Sequence, residues 1–419
     1  MAIQKWRIRD GTFHSTNRRE VMKKLFPVLV AVVWVTFFAG TVFAQDVVRL
    51  GCSISLTGKL TYEGKATRDG YEFYKTLINK KGGLNIGGKK YRVDIKYYDD
   101  ESNVQTSTKL IEKLIAEDKI DFILGPYGSG PSFATSAITE KYKRVMMLPM
   151  AASPEVYERG FKYMFGMLAT TDIYLRDIFY LAAQQTPKPK IVAVLWKNDL
   201  ANKGLSDPIP QFCKDSGMDL VYNEKFAAGA SDFSAELTVI KAKNPDLLVF
   251  LSQLEQFIMG VKQIKDMKIN AKMIMNGIAV PQPDLVKSLG KDAEYMVGPT
   301  HWYRTYRFRD DLFGDSENYV KEFKQMFGYE PEYHNVGASA GIQVLGIALE
   351  KAGVLDVEKV QNALATMSVN TFWGPIQFDE KGKIKGRKMP VGQILKGRFT
   401  LVYPSESAET KLVWPKPAW

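Results

Sequence analysis

The stretch from Lys119 to Ser132 sets Tyr127, Gly128, Ser129 and Gly130 directly behind an apolar run, Ile120 to Leu124. Glycines let a backbone come close to a bound group, and a serine hydroxyl adds a directed hydrogen bond. The short run, closed by Gly and Pro, predicts a strand buried on both faces. Ser132 stands as an N-cap before Ala134, Ala137 and Ile138, so the turn lies beside the free N–H groups of a helix start, a ready seat for an anionic oxygen. The same residues would serve equally well as a plain tight turn.

Three further places offer polar or aromatic groups at strand ends. Pro149 to Pro154 (Met150, Ala151, Ala152 and Ser153 between them) follows the apolar Val145 to Leu148 and leaves room beside Ser129. In an open parallel sheet, ligands sit outside the carboxyl ends of the strands, so both loops are expected to face one crevice. Later in the chain, Ser252, Gln253, Glu255 and Gln256 follow Leu247 to Leu251, either as ligand contacts or as a helix start with a favourable acid. His301, Trp302, Tyr303 and Arg304 form an aromatic cluster that walls a pocket or packs in the core. The acids Asp99, Asp100 and Glu101 lack the spaced partners of a metal site and are expected to cap a helix. There is no nucleophile elbow, no Gly-rich dinucleotide fingerprint and no His301–His334 relay, so neither enzyme activity nor a cofactor is expected.

With 419 residues and 45% apolar content, the chain can bury a large core and divide into two domains. Lys23 and Lys24, the apolar Leu25 to Ala39 and the small residues ending at Ala44 read as a secretory signal peptide, with residues 1 to 21 an upstream extension. Residues 1–44 carry seven of the 57 Lys/Arg and two of the 46 Asp/Glu, so the formal charge of +11 drops to +6 for the mature chain. No basic run suited to nucleic acid is recognised in it. Cys52 and Cys213 fall in different halves and are expected to be buried thiols rather than a bridge.

The order of elements is α/β throughout. Strands are expected at Val47 to Ser55, Tyr91 to Tyr97, Ile120 to Leu124 and Val145 to Leu148. They recur at Ile191 to Leu195, Leu220 to Tyr222, Leu247 to Leu251 and Lys272 to Met275, with helices between. Asp94 to Asp121 and Asp219 to Asp246 each span 27 residues and open corresponding strands, which points to a duplicated βαβ lobe. Residues 45–168 with 300–385 are assigned to lobe 1, 169–299 with 386–404 to lobe 2, and Ser405 to Trp419 to a loose tail.

Leu56-Thr57-Gly58, Asn79 to Gly83, Tyr97 to Asp100, Gly125 with Ser129, Pro149 to Pro154, Phe233-Ser234 and Trp373-Gly374-Pro375 occur in an order that resembles the branched-chain amino acid type of periplasmic substrate-binding proteins of ABC transporters. The resemblance covers nearly the whole mature chain. It implies two Rossmann-like lobes, a three-stranded hinge and a ligand cleft between them that closes by hinge motion, a movement the class is known for. Carried over by position, the ligand carboxylate is held by Ser129 and the Met150 to Ala152 loop, with Ser153 one place beyond the family's hydroxyl residue. The acid that grips the ligand ammonium falls at Gln256, beside Glu255. Trp196 and Asn198 lie near a family tyrosine position, Tyr62 lies beside Glu63 at a family aromatic position, and the family's lobe 1 disulfide reads Ser102 and Gly128.

The expected protein is therefore a monomeric periplasmic receptor that passes a small amphipathic solute to ABC permease subunits. Its guest is a branched-chain amino acid or, with Gln256 in place of an acid, a carboxylate without an amino group, for which Trp196, Trp302 and Tyr62 would suit an apolar body. A ligand-sensing module and an exported α/β enzyme are the rivals.

Overall fold

The computed structural model describes residues 46–419, and the expected signal peptide lies outside the described residues. The first sheet contains β1 (Asp46–Ile54), β2 (Leu84–Ile86), β3 (Lys89–Asp99), β4 (Phe122–Leu124), β5 (Val145–Leu148) and β6 (Met164–Gly166), in the order β2-β3-β1-β4-β5-β6. The second contains β7 (Ile191–Lys197), β8 (Asp219–Phe226), β9 (Leu247–Leu251), β10 (Met273–Met275) and β11 (Val297–Pro299). A separate hairpin, β12 (Val369–Thr371) and β13 (Gly374–Ile376), precedes β14 (Val391–Leu395) and β15 (Arg398–Tyr403), which complete the second sheet as β15-β14-β11-β10-β9-β7-β8.

Stripped of their antiparallel additions, the sheets read β3-β1-β4-β5-β6 and β8-β7-β9-β10-β11, so the duplicated halves match strand for strand. Helices α1 (Thr61–Lys80), α2 (Val104–Ala116), α3 (Ser129–Lys141) and α4 (Pro154–Tyr157) cover the first sheet. The second carries α5 (Arg176–Ala183), α6 (Leu200–Ser206), α7 (Ile209–Ser216), α8 (Ser234–Lys243), α9 (Leu254–Asp266) and α10 (Pro283–Leu289). Then α11 (Ser316–Phe327), α12 (Tyr333–Ala352) and α13 (Val357–Ala365) return to the first sheet, where α12 lies along α1.

Fully buried central strands explain the apolar runs. Phe122, Ile123 and Leu124 in β4 and all of β9 are buried on both faces, as parallel strands covered by helices must be. Ion pairs at matched positions hold the strand starts: Asp121 faces Arg144 at 3.2 Å in the first lobe and Asp246 faces Lys272 at 2.7 Å in the second. Cys52 and Cys213 are free and buried.

Two expectations are corrected. The helix after β4 begins at Ser129, with Gly128 at φ 90° as its N-cap, so Ser132 lies inside the first turn and caps nothing. Only a glycine takes that turn without strain, and Pro131 is tolerated because its missing N–H falls in the first turn. The tail is not loose. Lys416 N–H donates to the Lys272 carbonyl at 2.8 Å, the Trp419 indole to Ile269 at 3.1 Å and the Trp414 indole to Pro187 at 3.1 Å. Val413 and Gln393 exchange a reciprocal pair at 2.9 and 3.1 Å. Indole and backbone donors dock the segment on the second sheet despite its prolines.

Asp246 also accepts from the N–H groups of Lys190 (2.6 Å) and Ile191 (3.1 Å). Partial burial pushes its carboxyl up, but Lys272 and the two N–H groups outweigh that and hold it below the usual carboxylate range. A lowered carboxyl adds stability above the unfolded-state value and loses it as pH falls through the folded value. Asp246→Asn should therefore cost about 1–2 kcal/mol in urea unfolding at pH 7, with the difference from wild type shrinking on acidification.

Candidate functional site

The carboxyl ends of β1, β4 and β5 in one sheet and of β7 and β9 in the other carry the loops that meet between the lobes. The chain passes from one sheet to the other three times, after β6, after β11 and before β14. The first and third crossings are joined where Gly166 N–H donates to Gly382 O (2.7 Å) and Ile384 N–H to Gly166 O (3.2 Å). The second and third are joined by Thr300 N–H to Pro390 O (2.9 Å) and by the Arg387 guanidinium donating to His301 O (3.0 Å).

Ser129 heads α3, and its buried hydroxyl oxygen accepts from the N–H of Ala152 at 3.1 Å and of Ser153 at 3.0 Å. Gly128 N–H reaches the Met150 carbonyl at 3.2 Å, so the two loops are laced together. With its oxygen occupied as acceptor, the Ser129 hydroxyl still holds a proton to donate, and the N–H groups of Ser129 and Gly130 stand free in the first helical turn. The Ser153 and Thr171 hydroxyls beside them are buried without a partner. This end of the cleft offers donors without a fixed cation, an arrangement suited to a carboxylate. Ala151 faces the opposite side, where its carbonyl accepts from Tyr157 at 2.7 Å.

The floor is aromatic. Tyr127 lies 5.2 Å from the His334 ring, Tyr333 lies 5.5 Å from His301, and Tyr174 lies 4.9 Å from His301, ring centre to ring centre. Tyr174 shares a 2.6 Å hydrogen bond with His301 Nε2, while His301 Nδ1 is buried without a partner. Burial, with the nearby Arg387 charge adding to it, pushes the His301 imidazole well below its ordinary value, so the ring stays neutral. Burial likewise pushes the Tyr127 and Tyr333 phenols well up, which keeps both as donors. Arg387 stacks 4.1 Å from the Trp373 ring and supports the floor from beneath.

At the mouth, Glu63 from lobe 1 accepts from Leu254 N–H of lobe 2 at 3.4 Å. Lys197 donates to Gln253 Oε1 at 2.7 Å and lies 3.5 Å from Asp199, whose carboxylate also caps α6 through Asn202 N–H at 2.9 Å. Outside, Lys59, Tyr62, Glu63, Leu254, Glu255 and Asp284 line a groove of about 340 Å³. The rims touch elsewhere too: Lys203 pairs with Glu155 at 2.9 Å, and a Cβ on Gly204 of α6 would lie 3.3 Å from Pro154 Cδ and 3.5 Å from Ser153 Oγ of the facing lobe, and 2.3 Å from Thr171 Oγ1 of its own.

Of the sequence-derived candidates, Tyr127, Gly128, Ser129, Met150, Ala152 and Ser153 come together, and Gln253 joins them from the facing lobe. Tyr62 lies half-buried on the mouth groove, and Glu255 is exposed on its rim. Gln256 turns away, donating to Ala228 and Ala230 carbonyls at 3.1 and 2.8 Å to hold that loop. Trp302 is core: its indole donates to Ser316 Oγ at 3.2 Å, because the Thr300 turn sends His301, not Trp302, toward the cleft. Trp196 shares a strand face with Val192 and Val194 and packs with them, whereas Lys197 on the other face reaches Gln253. Asn198 is exposed, and only its N–H is tied, to Phe226 at 2.9 Å. Sequence reasoning missed Glu63 as a charge in the cleft, together with Lys197, Asp199, Tyr174, Tyr333, His334 and Arg387. Tyr333 and His334 open the very apolar α12, and a polar pair at a buried helix start was the available signal.

A family model described as periplasmic binding protein matches residues 47–398. The chain belongs to this family. A leucine-, isoleucine-, valine-, threonine- and alanine-binding protein of Pseudomonas aeruginosa is 24% identical over 357 residues, covering 85% of this chain and 92% of the relative. Among solved structures, the branched-chain amino acid transporter substrate-binding protein LivJ of Streptococcus pneumoniae, in complex with isoleucine, superposes with a TM-score of 0.76 at 20% identity, covering 88% of this chain and all of that one. An ABC transporter solute-binding protein of Rhodopseudomonas palustris in complex with 3,4-dihydroxybenzoic acid gives 0.74 at 22% identity over 85% and 95% of the two chains. The family is one of solute-binding proteins with two α/β lobes, and the paired sheets and touching rims of this periplasmic binding protein have that architecture.

Because a side chain at Gly204 would press on Pro154 and Ser153 of the facing lobe, Gly204→Val should hold the rims apart. Small-angle scattering is expected to give a larger radius of gyration than wild type, with urea unfolding showing a loss of about 1–3 kcal/mol from the overlap with Thr171. An unchanged radius would show that this contact does not govern closure.

Proposed function

We propose that the protein is the extracytoplasmic solute receptor of an ABC importer, a monomer that encloses a small amphipathic carboxylate between its lobes and delivers it to the permease. Residues 45–168 with 300–385 and 169–299 with 386–404 are the bodies that move, and the leader ending at Ala44 directs export to the periplasm. A branched-chain amino acid or a related carboxylate is the solute class, in keeping with the relatives' names. The observation that carries this reading is Ser129, whose oxygen is fixed by two loop N–H groups at the first turn of α3, so that its hydroxyl keeps a proton to donate. Closure is driven by the solute's preference for the state in which both lobes touch it.

A carboxylate lacking an amino group is the second reading. It is favoured by the tyrosine and histidine rings packed near Tyr127 and Tyr333 and by the engagement of the Gln256 amide with the Ala228 and Ala230 carbonyls.

Mass spectrometry of the solute that copurifies, followed by calorimetry on Ser129→Ala, tests the assignment. The variant should bind that solute about tenfold or more weakly, the worth of one charge-assisted hydrogen bond. It should also lose about 1–3 kcal/mol of stability, since two buried N–H groups lose their acceptor, so affinities are compared well below its unfolding midpoint. Unchanged affinity would remove Ser129 from the site.

A further inference from the structure

Three carboxyl groups surround the cleft, and two are occupied. Glu332 caps α12 and binds His334 Nδ1 at 2.8 Å; Asp199 caps α6 and is joined to Gln253 at 3.2 Å as well as to Lys197. Glu63 is different. It is 2% exposed, yet among the described residues no lysine, arginine or histidine nitrogen forms an ion pair with it, and its one cross-lobe contact, from Leu254 N–H, is a long 3.4 Å. A buried carboxylate left in this condition is costly unless something neutralises it. Burial pushes its carboxyl up, only partly offset by His334, backbone N–H groups and Lys197.

What surrounds Glu63 fits a cation. Tyr62 lines the mouth groove beside it, and the phenols of Tyr127 and Tyr333 are close enough to feel its charge. Electron-rich ring faces next to an acid are a common setting for an ammonium group. The one buried lysine of the cleft, Lys197, is already answered by Asp199 and Gln253 and leaves the negative charge of Glu63 unbalanced. Glu255 and Asp284 add negative charge along the groove, against Lys59 and Lys287, the latter held by Asp284 at 3.6 Å.

We propose that Glu63, from lobe 1, receives the positively charged amino group of the solute whose carboxylate Ser129 holds. This rests on the carboxylate reading of Ser129 and selects within it: the solute is an amino acid, and lobe 2 contributes polar neutral contacts through Gln253 instead of an acid.

Calorimetry with the mature chain and two matched pairs of probes tests it: leucine against 4-methylpentanoate, and phenylalanine against 3-phenylpropanoate. Wild type should favour the amine-bearing member of at least one pair by about tenfold or more. Glu63→Gln should bring that pair to within about threefold, Glu63→Asp should retain a preference, and Glu63→Gln should unfold at or above the wild-type midpoint, since a buried charge is relieved. A preference that survives Glu63→Gln, or a wild type that binds the des-amino members as tightly or binds neither pair, overturns the proposal. Ser129→Ala separates the two readings. If it weakens both members of a pair while Glu63→Gln keeps the preference, only the role of Glu63 falls; if it weakens neither, the carboxylate reading falls with it.

Discussion

The oxygen of Ser129 accepts two peptide N–H groups from a loop that belongs to the next strand. That bond joins the exits of β4 and β5, sets the first turn of α3 and fixes where one hydroxyl proton can point. Gly128 makes it possible, since its positive φ turns the chain into the helix at Ser129. Without the clamp the Met150–Ser153 loop would have to place its N–H groups elsewhere, and the donors gathered at this end of the cleft would no longer converge.

Among the described residues of the cleft, each carboxyl group but one has a side-chain partner. Lys197 pairs with Asp199 and donates to Gln253 at the end of β7, and Glu332 is hydrogen-bonded to His334 at the start of α12. What remains is a donor-rich end around Ser129, an aromatic floor and a solitary acid at the mouth. In a cavity shielded from water, such an unbalanced charge acts on a guest far more strongly than it would at the surface.

The three crossings of the hinge are tied to one another by backbone and guanidinium bonds. Three crossings lie side by side, with Arg387 stacked on Trp373 and donating to His301 of a neighbouring crossing. Because His301 is also a floor residue, hinge and floor share one side chain, and a rotation of the lobes would be felt where the solute lies. Rim contacts such as Lys203–Glu155 are solvent-exposed and contribute little by themselves, so the solute is left to supply most of the drive to close.

Apolar runs of four or five residues, Gly and Pro stops and the equal spacing of Asp94–Asp121 and Asp219–Asp246 were enough to draw the duplicated α/β lobes, since strand burial and turn chemistry act over a few neighbouring residues. The exit loops of β4 and β5 were legible for the same reason: a strand's carboxyl end is a local property. The partners across the cleft were not. Whether Trp196 or Lys197 faces the gap depends on strand parity relative to the other lobe, and Trp302 was lost to the core by a turn at Thr300. Glu63 and Tyr333 come near one another from positions 270 residues apart, and no spacing rule links positions brought together only by folding. Their burial, and so the isolation of one carboxylate, comes from how the two sheets are set against each other.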